Sequence, residues 1–270
     1  MAQDKLSAAK AGTVTIGDKA VNRIGLGTNR ITGTSEARAL LKRAVELNVN
    51  FIDTAYSYTA GASETTIGDT LAPYSEDLLV ATKGGWSNTR PEELRGLLEE
   101  SLRRLHTDCI DLYQLHRVNP DVPIEDSVGM FKRFQEEGKI RHIGLSEVSI
   151  EQLERARAVA AIVSVQNEYN VAVRRHEALV DYCTEQGIVF IPWFPLGGLR
   201  GDTAKVEQLV AEMAKKYQAT PQQIALAWLL KRSPLMLPIP GTLSVDHLEA
   251  NLQAASLELA PDDYHILVNG

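Results

Sequence analysis

From Ile24 onward the chain repeats one pattern eight times: a short apolar run, then an amphipathic stretch with helical spacing. The apolar runs lie at residues 24–27, 51–54, 78–82, 110–115, 142–145, 162–166, 188–191 and 236–239. The first intervening stretch, 35–47, places Ala37, Leu40, Leu41, Ala44 and Leu47 on one helical face, with Ser35 as the expected N-cap. Further helices are predicted at 63–71, 91–105, 124–137, 150–158, 176–185, 206–217, 222–231 and 245–255. Strands that alternate with helices pair in parallel through right-handed crossovers. Eight such units predict a closed (β/α)8 TIM barrel. A doubly wound open sheet is the weaker alternative, because no G-x-G-x-x-G follows the first strand. Ahead of the series, residues 13–16, the turn Gly17-Asp18 and residues 19–21 read as a short N-terminal β-hairpin. No linker or low-complexity segment interrupts the series, so residues 1–270 are expected to form a single domain.

A chain of 270 residues with 44% hydrophobic content can bury a large core without staples. Its formal charge of −7 gives no electrostatic reason to bind nucleic acid or an anionic membrane. The basic pairs Arg103-Arg104 and Lys215-Lys216 read as solvated helix faces. Cys109 and Cys183 are too few for a disulfide framework and are expected to be buried thiols. Neither a signal peptide nor an apolar run of membrane-spanning length is visible. The expected location is the cytoplasm and the expected state a monomer.

Barrel chemistry sits at the C-terminal ends of strands. There the second strand ends at Asp53 with Tyr58 just beyond, the third is followed by Lys83 and the fourth by His116. The fifth is followed by Ser146 and Glu147, the sixth ends at Gln166, and the seventh is followed by Trp193. A carbonyl that accepts hydride develops negative charge on oxygen, and a nearby proton donor lowers the barrier. A phenol, with an unperturbed pKa of about 10, is a slow acid unless a cation stabilises its anion. Lys83 can supply that charge, Asp53 can hold Lys83, and His116 can donate a hydrogen bond to the developing oxyanion. Each of the four alone has an ordinary structural explanation: a loop cap, an exposed tyrosine, a solvated lysine, a satisfied histidine. Their arrival on one rim from consecutive strands favours the catalytic reading.

At these residues the chain resembles the aldo-keto reductase family. Residues 50–58, with acid and tyrosine five apart, are similar to its second-strand signature. Residues 81–83, 108–116 and 138–146 resemble its lysine, histidine and fifth-strand segments, and the likeness runs from about Ile24 to Asn251. The resemblance implies an enzyme that reduces aldehydes or ketones, a small-molecule carbonyl substrate and NADPH as cofactor, with NADH as the alternative. It implies that Ser146, Glu147 and Gln166 contact the nicotinamide carboxamide and that Trp193 stacks on the ring. The loop 194–199, with Pro195, Leu196 and Gly197, would cover the pyrophosphate. Thr242 and His247 would meet a 2′-phosphate and Asn251 the adenine. The Lys and Arg that many members place there are missing, which weakens the preference for NADPH. The chain ends soon after the last predicted helix, which implies an open substrate site with Asn29, Arg30, Trp86 and Asn88 beside it. A cofactor-binding regulatory protein of the same superfamily is the alternative function. A metal-dependent hydrolase has little support, since no H-x-H or H-E-x-x-H spacing exists and no metal ligands are expected.

Overall fold

The computed structural model describes residues 6–197 and 204–269. Strands β1 (Thr13–Ile16) and β2 (Lys19–Asn22) form the expected antiparallel hairpin. The parallel strands are β3 (Leu26–Gly27), β4 (Phe51–Asp53), β5 (Leu79–Gly84), β6 (Ile110–Leu115), β7 (Ile140–Ser146), β8 (Ile162–Gln166) and β9 (Val189–Phe190). They pair strictly in chain order. Strands β5 and β7 run further than the apolar runs suggest, so Lys83 and Ser146 lie inside strands rather than after them.

The eighth predicted strand does not form a ladder. Its segment closes the ring instead through single bridges, Phe190 to Met236 and Gly27 to Gly241. The Leu237 amide bonds the Phe190 carbonyl at 2.9 Å, while the Gly25 and Gly27 amides reach the carbonyls of Pro238 (3.0 Å) and Pro240 (3.4 Å). Pro238 and Pro240 have no N–H to donate in return, so this segment accepts toward β3 without building a regular strand. The architecture is a (β/α)8 barrel whose last stave is irregular.

The surrounding helices are α1 (Ser35–Glu46), α2 (Ala62–Leu71), α3 (Leu94–Leu105), α4 (Ile124–Glu136) and α5 (Ile150–Arg157). They continue with α6 (Glu177–Glu185), α7 (Ala204–Lys216), α8 (Pro221–Arg232) and α9 (Val245–Gln253). A tenth, α10 (Pro261–Asn269), lies beyond the predicted set. It packs on α7 and α8: Lys216 and Tyr217 both bond Asp263, and Tyr264 stacks on the buried Trp228 at 6.1 Å. Thr34, not Ser35, caps α1, because its Oγ1 accepts from the Ala37 amide. Cys183 is buried and burial pushes its thiol up to about 12, whereas Cys109 is only half-buried. Among the described residues, no helix is long and apolar enough to cross a membrane.

Side chains alternate along each strand between two apolar bodies. Ile52, Val80, Tyr113 and Phe190 face the helices. Phe51, Leu79, Ala81, Leu112 and Val189 face the barrel axis with Ile191, Leu237 and Ile239. Val14, Ile16 and Val21 of the hairpin join this inner body. The hairpin turn also meets His142, whose Nε2 lies 2.7 Å from Asp18 Oδ1. The bottom of the barrel is therefore plugged, and the inward positions at the top are left for polar groups.

Gly25 sits where β4 and the closing segment crowd the first stave. A Cβ there would lie 2.8 Å from Phe51 Cδ1, 2.9 Å from Phe51 O and 3.1 Å from Ile239 Cγ2. Gly25→Val is expected to cost about 1–3 kcal/mol by overpacking and to lower the melting temperature by several degrees. Thermal denaturation followed by circular dichroism checks this, and an unchanged midpoint would show that the seam tolerates a side chain.

Candidate active site

The inward parity of the strands continues upward into a polar layer. Asp53 follows Phe51 on β4, Lys83 follows Ala81 on β5, Gln114 follows Leu112 on β6 with His116 just past its end, and Gln166 follows Ser164 on β8. Lys83 registers opposite Gln114, and Gln114 opposite Gly144. Gly144 makes room for that amide: a Cβ there would lie 2.9 Å from Gln114 Cγ and 2.4 Å from Ser164 Oγ.

Lys83 is 0% exposed and Asp53 1%. Asp53 Oδ1 accepts from Lys83 Nζ at 2.6 Å, and Oδ2 accepts from Gln166 Nε2 at 2.9 Å and Gln114 Nε2 at 3.2 Å. Lys83 Nζ also donates to the Thr54 carbonyl (2.8 Å) and reaches Tyr58 Oη at 3.2 Å. An ammonium has three N–H donors, and each is committed. Burial works against the ammonium, but the Asp53 carboxylate and Tyr58 outweigh it, so the Lys83 pKa is raised. Lys83 is therefore a fixed positive charge beside a phenol.

The loop after β4 holds that phenol under strain. Thr59 and Ala60 both take left-handed backbone angles (φ 48° and 53°) and are followed by Gly61 at φ 89°. Non-glycine residues in this region cost about 1–3 kcal/mol each and persist only where their surroundings impose them. Here Thr59 Oγ1 bonds the Ile31 carbonyl at 2.9 Å and the Tyr56 amide bonds the Lys83 carbonyl at 3.0 Å. Arg104 packs over the Tyr56 ring at 4.6 Å, bonds the Tyr56 carbonyl and pairs with the buried Glu64 at 3.2 Å. Arg104 is thus a structural cation and not the solvated helix residue expected from its sequence.

His116 follows β6, with its amide on the Gly84 carbonyl at 2.9 Å. Its ring lies 5.8 Å from that of Tyr58 and 4.8 Å from that of Trp86. Burial, together with the charges of Lys83 and Arg117, pushes its pKa down to about 2. The imidazole is neutral at physiological pH and can act through a neutral N–H.

A cavity of about 660 Å³ opens above this layer. Asp53, Tyr58 and His116 line it, as do Ser146, Gln166, Trp193, Pro195 and Leu196. Asn29, Arg30 and Trp86 line it too, whereas the exposed Asn88 does not. Lys83 lies beneath Tyr58, outside the wall. Glu147 stands behind the wall: its Oε1 accepts from Trp193 Nε1 at 2.6 Å and from the Glu168 amide at 2.8 Å. It therefore braces Trp193 from outside the wall, with its own backbone left-handed at φ 54°. Gln166 lines the cavity but commits its NH2 group to Asp53. Gly197 (φ 56°) lies next to the wall, where a Cβ would meet Asn170 at 3.0 Å. Gly198 and Leu199, the end of the expected pyrophosphate loop, lie outside the described residues.

Thr242, His247 and Asn251 are away from this cavity, beyond Gly241, which does line it. Thr242 and Asn251 are buried and His247 is exposed. Thr242 Oγ1 accepts from the Ser244 amide at 3.0 Å, and Ser244 caps α9. Arg30 comes to this segment from the first stave, bonding the Gly241 carbonyl at 3.1 Å. Three further site residues were not anticipated. Gln114 was visible in the inward parity of β6. Arg117 directly follows His116. Asn170 accepts from the Ala172 and Val173 amides and donates to the Phe194 carbonyl, and an isolated asparagine gives no signal for this. Among the described residues, no three His, Cys, Asp or Glu side chains gather as metal ligands.

The sequence profile described as the Aldo/keto reductase family matches residues 23–269. A Schizosaccharomyces pombe protein named uncharacterized oxidoreductase C215.11c is 43% identical, over 97% of this chain and 90% of its own. The pyridoxine 4-dehydrogenase of Escherichia coli is 38% identical, over 93% of this chain and 96% of its own. The structure of an aldo/keto reductase from Klebsiella pneumoniae in complex with NADP and acetate aligns with a TM-score of 0.85 at 28% identity, covering 95% of this chain and 94% of that one.

The buried neutral imidazole has a measurable consequence. An unfolded histidine takes up its proton as pH falls through about 6.5, whereas folded His116 does so only at about 2. Between those values the unfolded chain binds the additional proton, so this group makes stability fall as pH drops below about 6.5. His116→Asn is expected to flatten the dependence of urea-unfolding stability on pH by one proton between about pH 4 and 6. An imidazole signal of folded His116 that titrates near 6.5 by NMR would contradict this.

Proposed function

The chain belongs to the aldo/keto reductase family, and from that premise we propose that it reduces aldehydes or ketones to alcohols with NADPH, Tyr58 giving the proton to the carbonyl oxygen. The observation that carries the reading is the commitment of Lys83: two of its N–H groups are held by Asp53 and the Thr54 carbonyl, and the third points at Tyr58 Oη. A fixed ammonium at that oxygen stabilises the phenolate left after proton transfer. Asp53 keeps Lys83 charged and oriented, and the two glutamine amides hold Asp53. The neutral His116 donates a hydrogen bond to the substrate oxygen, orienting it and supporting its developing charge.

The residues present fit a nicotinamide cofactor. The cavity volume is that of a small-molecule site. Trp193 offers its indole to the cavity with the ring nitrogen braced from behind by Glu147. Ser146 Oγ accepts from Arg117 and keeps its own O–H for a carboxamide. A bound reduced nicotinamide would supply the hydride. The preference for the 2′-phosphate rests on Thr242, His247 and the amide end of α9, with Arg30 beside Gly241 as a permanent positive charge. The pyridoxine named for the Escherichia coli relative belongs in the substrate panel as an alcohol for the reverse direction.

Tyr58→Phe removes only the phenolic oxygen. It is expected to lower aldehyde reduction, followed by NADPH absorbance, by about 10²–10⁴-fold, with NADPH affinity nearly unchanged. Full activity in this variant would overturn the assignment of the proton donor. Titration with the two cofactors is expected to give tighter binding of NADPH than NADH, and His247→Ala is expected to narrow the gap. Equal affinities in the unaltered protein would show that no phosphate pocket operates.

A further inference from the structure

The cavity wall carries a positive charge that the proposed proton relay does not use. Among the described residues, three charged side chains line the cavity: Arg30, Asp53 and Arg117. Asp53 is neutralised by Lys83, and Arg30 is turned toward the Gly241 carbonyl. Arg117 is half-buried, and its hydrogen-bond partners among the described residues are neutral. Its Nη1 donates to the His116 carbonyl at 3.0 Å and to Ser146 Oγ at 3.2 Å. Its guanidinium carbon lies 5.5 Å from the centroid of Trp86 and 5.9 Å from that of Trp193. Among the described residues, no carboxylate pairs with it, and its Nη2 and Nε make no hydrogen bond.

A guanidinium has five N–H donors in a planar fork that matches a carboxylate. Two indole rings lie within cation–π range of this one and cover part of it, which leaves the rest of its fork for an anion. Trp86 touches both Arg117 and the His116 ring, so it bridges the charge and the place where a carbonyl would be oriented. We propose that Arg117 is a specificity residue that selects planar carbonyl substrates bearing an anionic group. The carbonyl would lie at Tyr58 and His116, the ring along Trp86, and the anion on the free edge of the guanidinium. This deepens the reductase reading and rests on it.

The test compares 4-formylbenzoate with its methyl ester, two aldehydes of one shape that differ in charge. The unaltered holoenzyme is expected to prefer the acid. Arg117→Met is expected to reduce kcat/KM for the acid by about tenfold or more through KM, the scale of one charge-assisted hydrogen bond. The ester is expected to lose less, so the acid-to-ester ratio of kcat/KM, measured at saturating NADPH, should fall by about tenfold. Arg117→Lys, which keeps the charge, should restore part of the preference, and added salt should erode it. An equal fall for acid and ester would overturn the proposal and leave Arg117 as a brace for Ser146 alone. Turnover of neither aldehyde by the unaltered protein would count against the reductase reading instead. Calorimetric binding of 4-formylbenzoate to the NADP⁺ complex tests the anion site separately. Loss of binding in Arg117→Met supports the proposal, and unchanged binding refutes it.

Discussion

The rim is organised around one interaction, the 2.6 Å pair between Lys83 and Asp53 inside the barrel. Both ions are stripped of water, and desolvation of this kind is repaid only where the remaining donors and acceptors are also satisfied. Here they are. The ammonium finds a carboxylate, a carbonyl and a phenol, and the second carboxylate oxygen takes two amide donors. Removing one member of such a pair costs about 3–5 kcal/mol, because the other is left charged and alone. The pair therefore ties β4, β5, β6 and β8 together at the level where the apolar interior ends. The apolar layers beneath exclude water from it, and the hairpin plug closes those layers from the far side.

That arrangement constrains the chain around it. The loop after β4 presents Tyr58 to Lys83 and then turns back through two left-handed non-glycine residues. The strain is held from outside by Arg104, which docks on Tyr56 and pairs with Glu64. Glu64 is itself buried and accepts from Thr82 Oγ1 at 2.6 Å, next to Lys83 on β5. A second buried ion pair thus stands on the helix side of β5 while the first stands on the axis side. Adjacent residues of one strand, Thr82 and Lys83, serve the two networks because alternate side chains face opposite ways.

Much of this was legible without coordinates. Eight alternations predicted the barrel, and the strand-end rule placed Asp53, Tyr58, Lys83 and His116 on one rim. What escaped has physical causes. The eighth apolar run reads as a strand by composition, but Pro238 and Pro240 remove the donors a ladder requires. Helix α10 follows Pro261, past the last βα unit, where the repeat no longer guides the eye. The bond from Trp193 Nε1 to Glu147 is made from a backbone at φ 54°; backbone handedness at a non-glycine is not written in residue type. Arg104 and Lys216 look alike in sequence, as members of basic pairs. Each pairs with a buried carboxylate, but Arg104 is also covered by the Tyr56 ring while Lys216 stays exposed.

The charge of Lys83 has two consequences that reinforce each other. It lies against Tyr58, and it also contributes, after burial, to keeping His116 unprotonated. An imidazolium at that position would be a competing acid and would place a second cation beside the ammonium. With the ring neutral, His116 can orient a carbonyl oxygen but is a poor proton source. On the proposed mechanism the proton then has one origin, Tyr58, and the hydrogen bond another, His116. Burial and the ammonium together separate the two roles: both keep the imidazole neutral, and the ammonium stabilises the anion of a phenol that would otherwise be a slow acid.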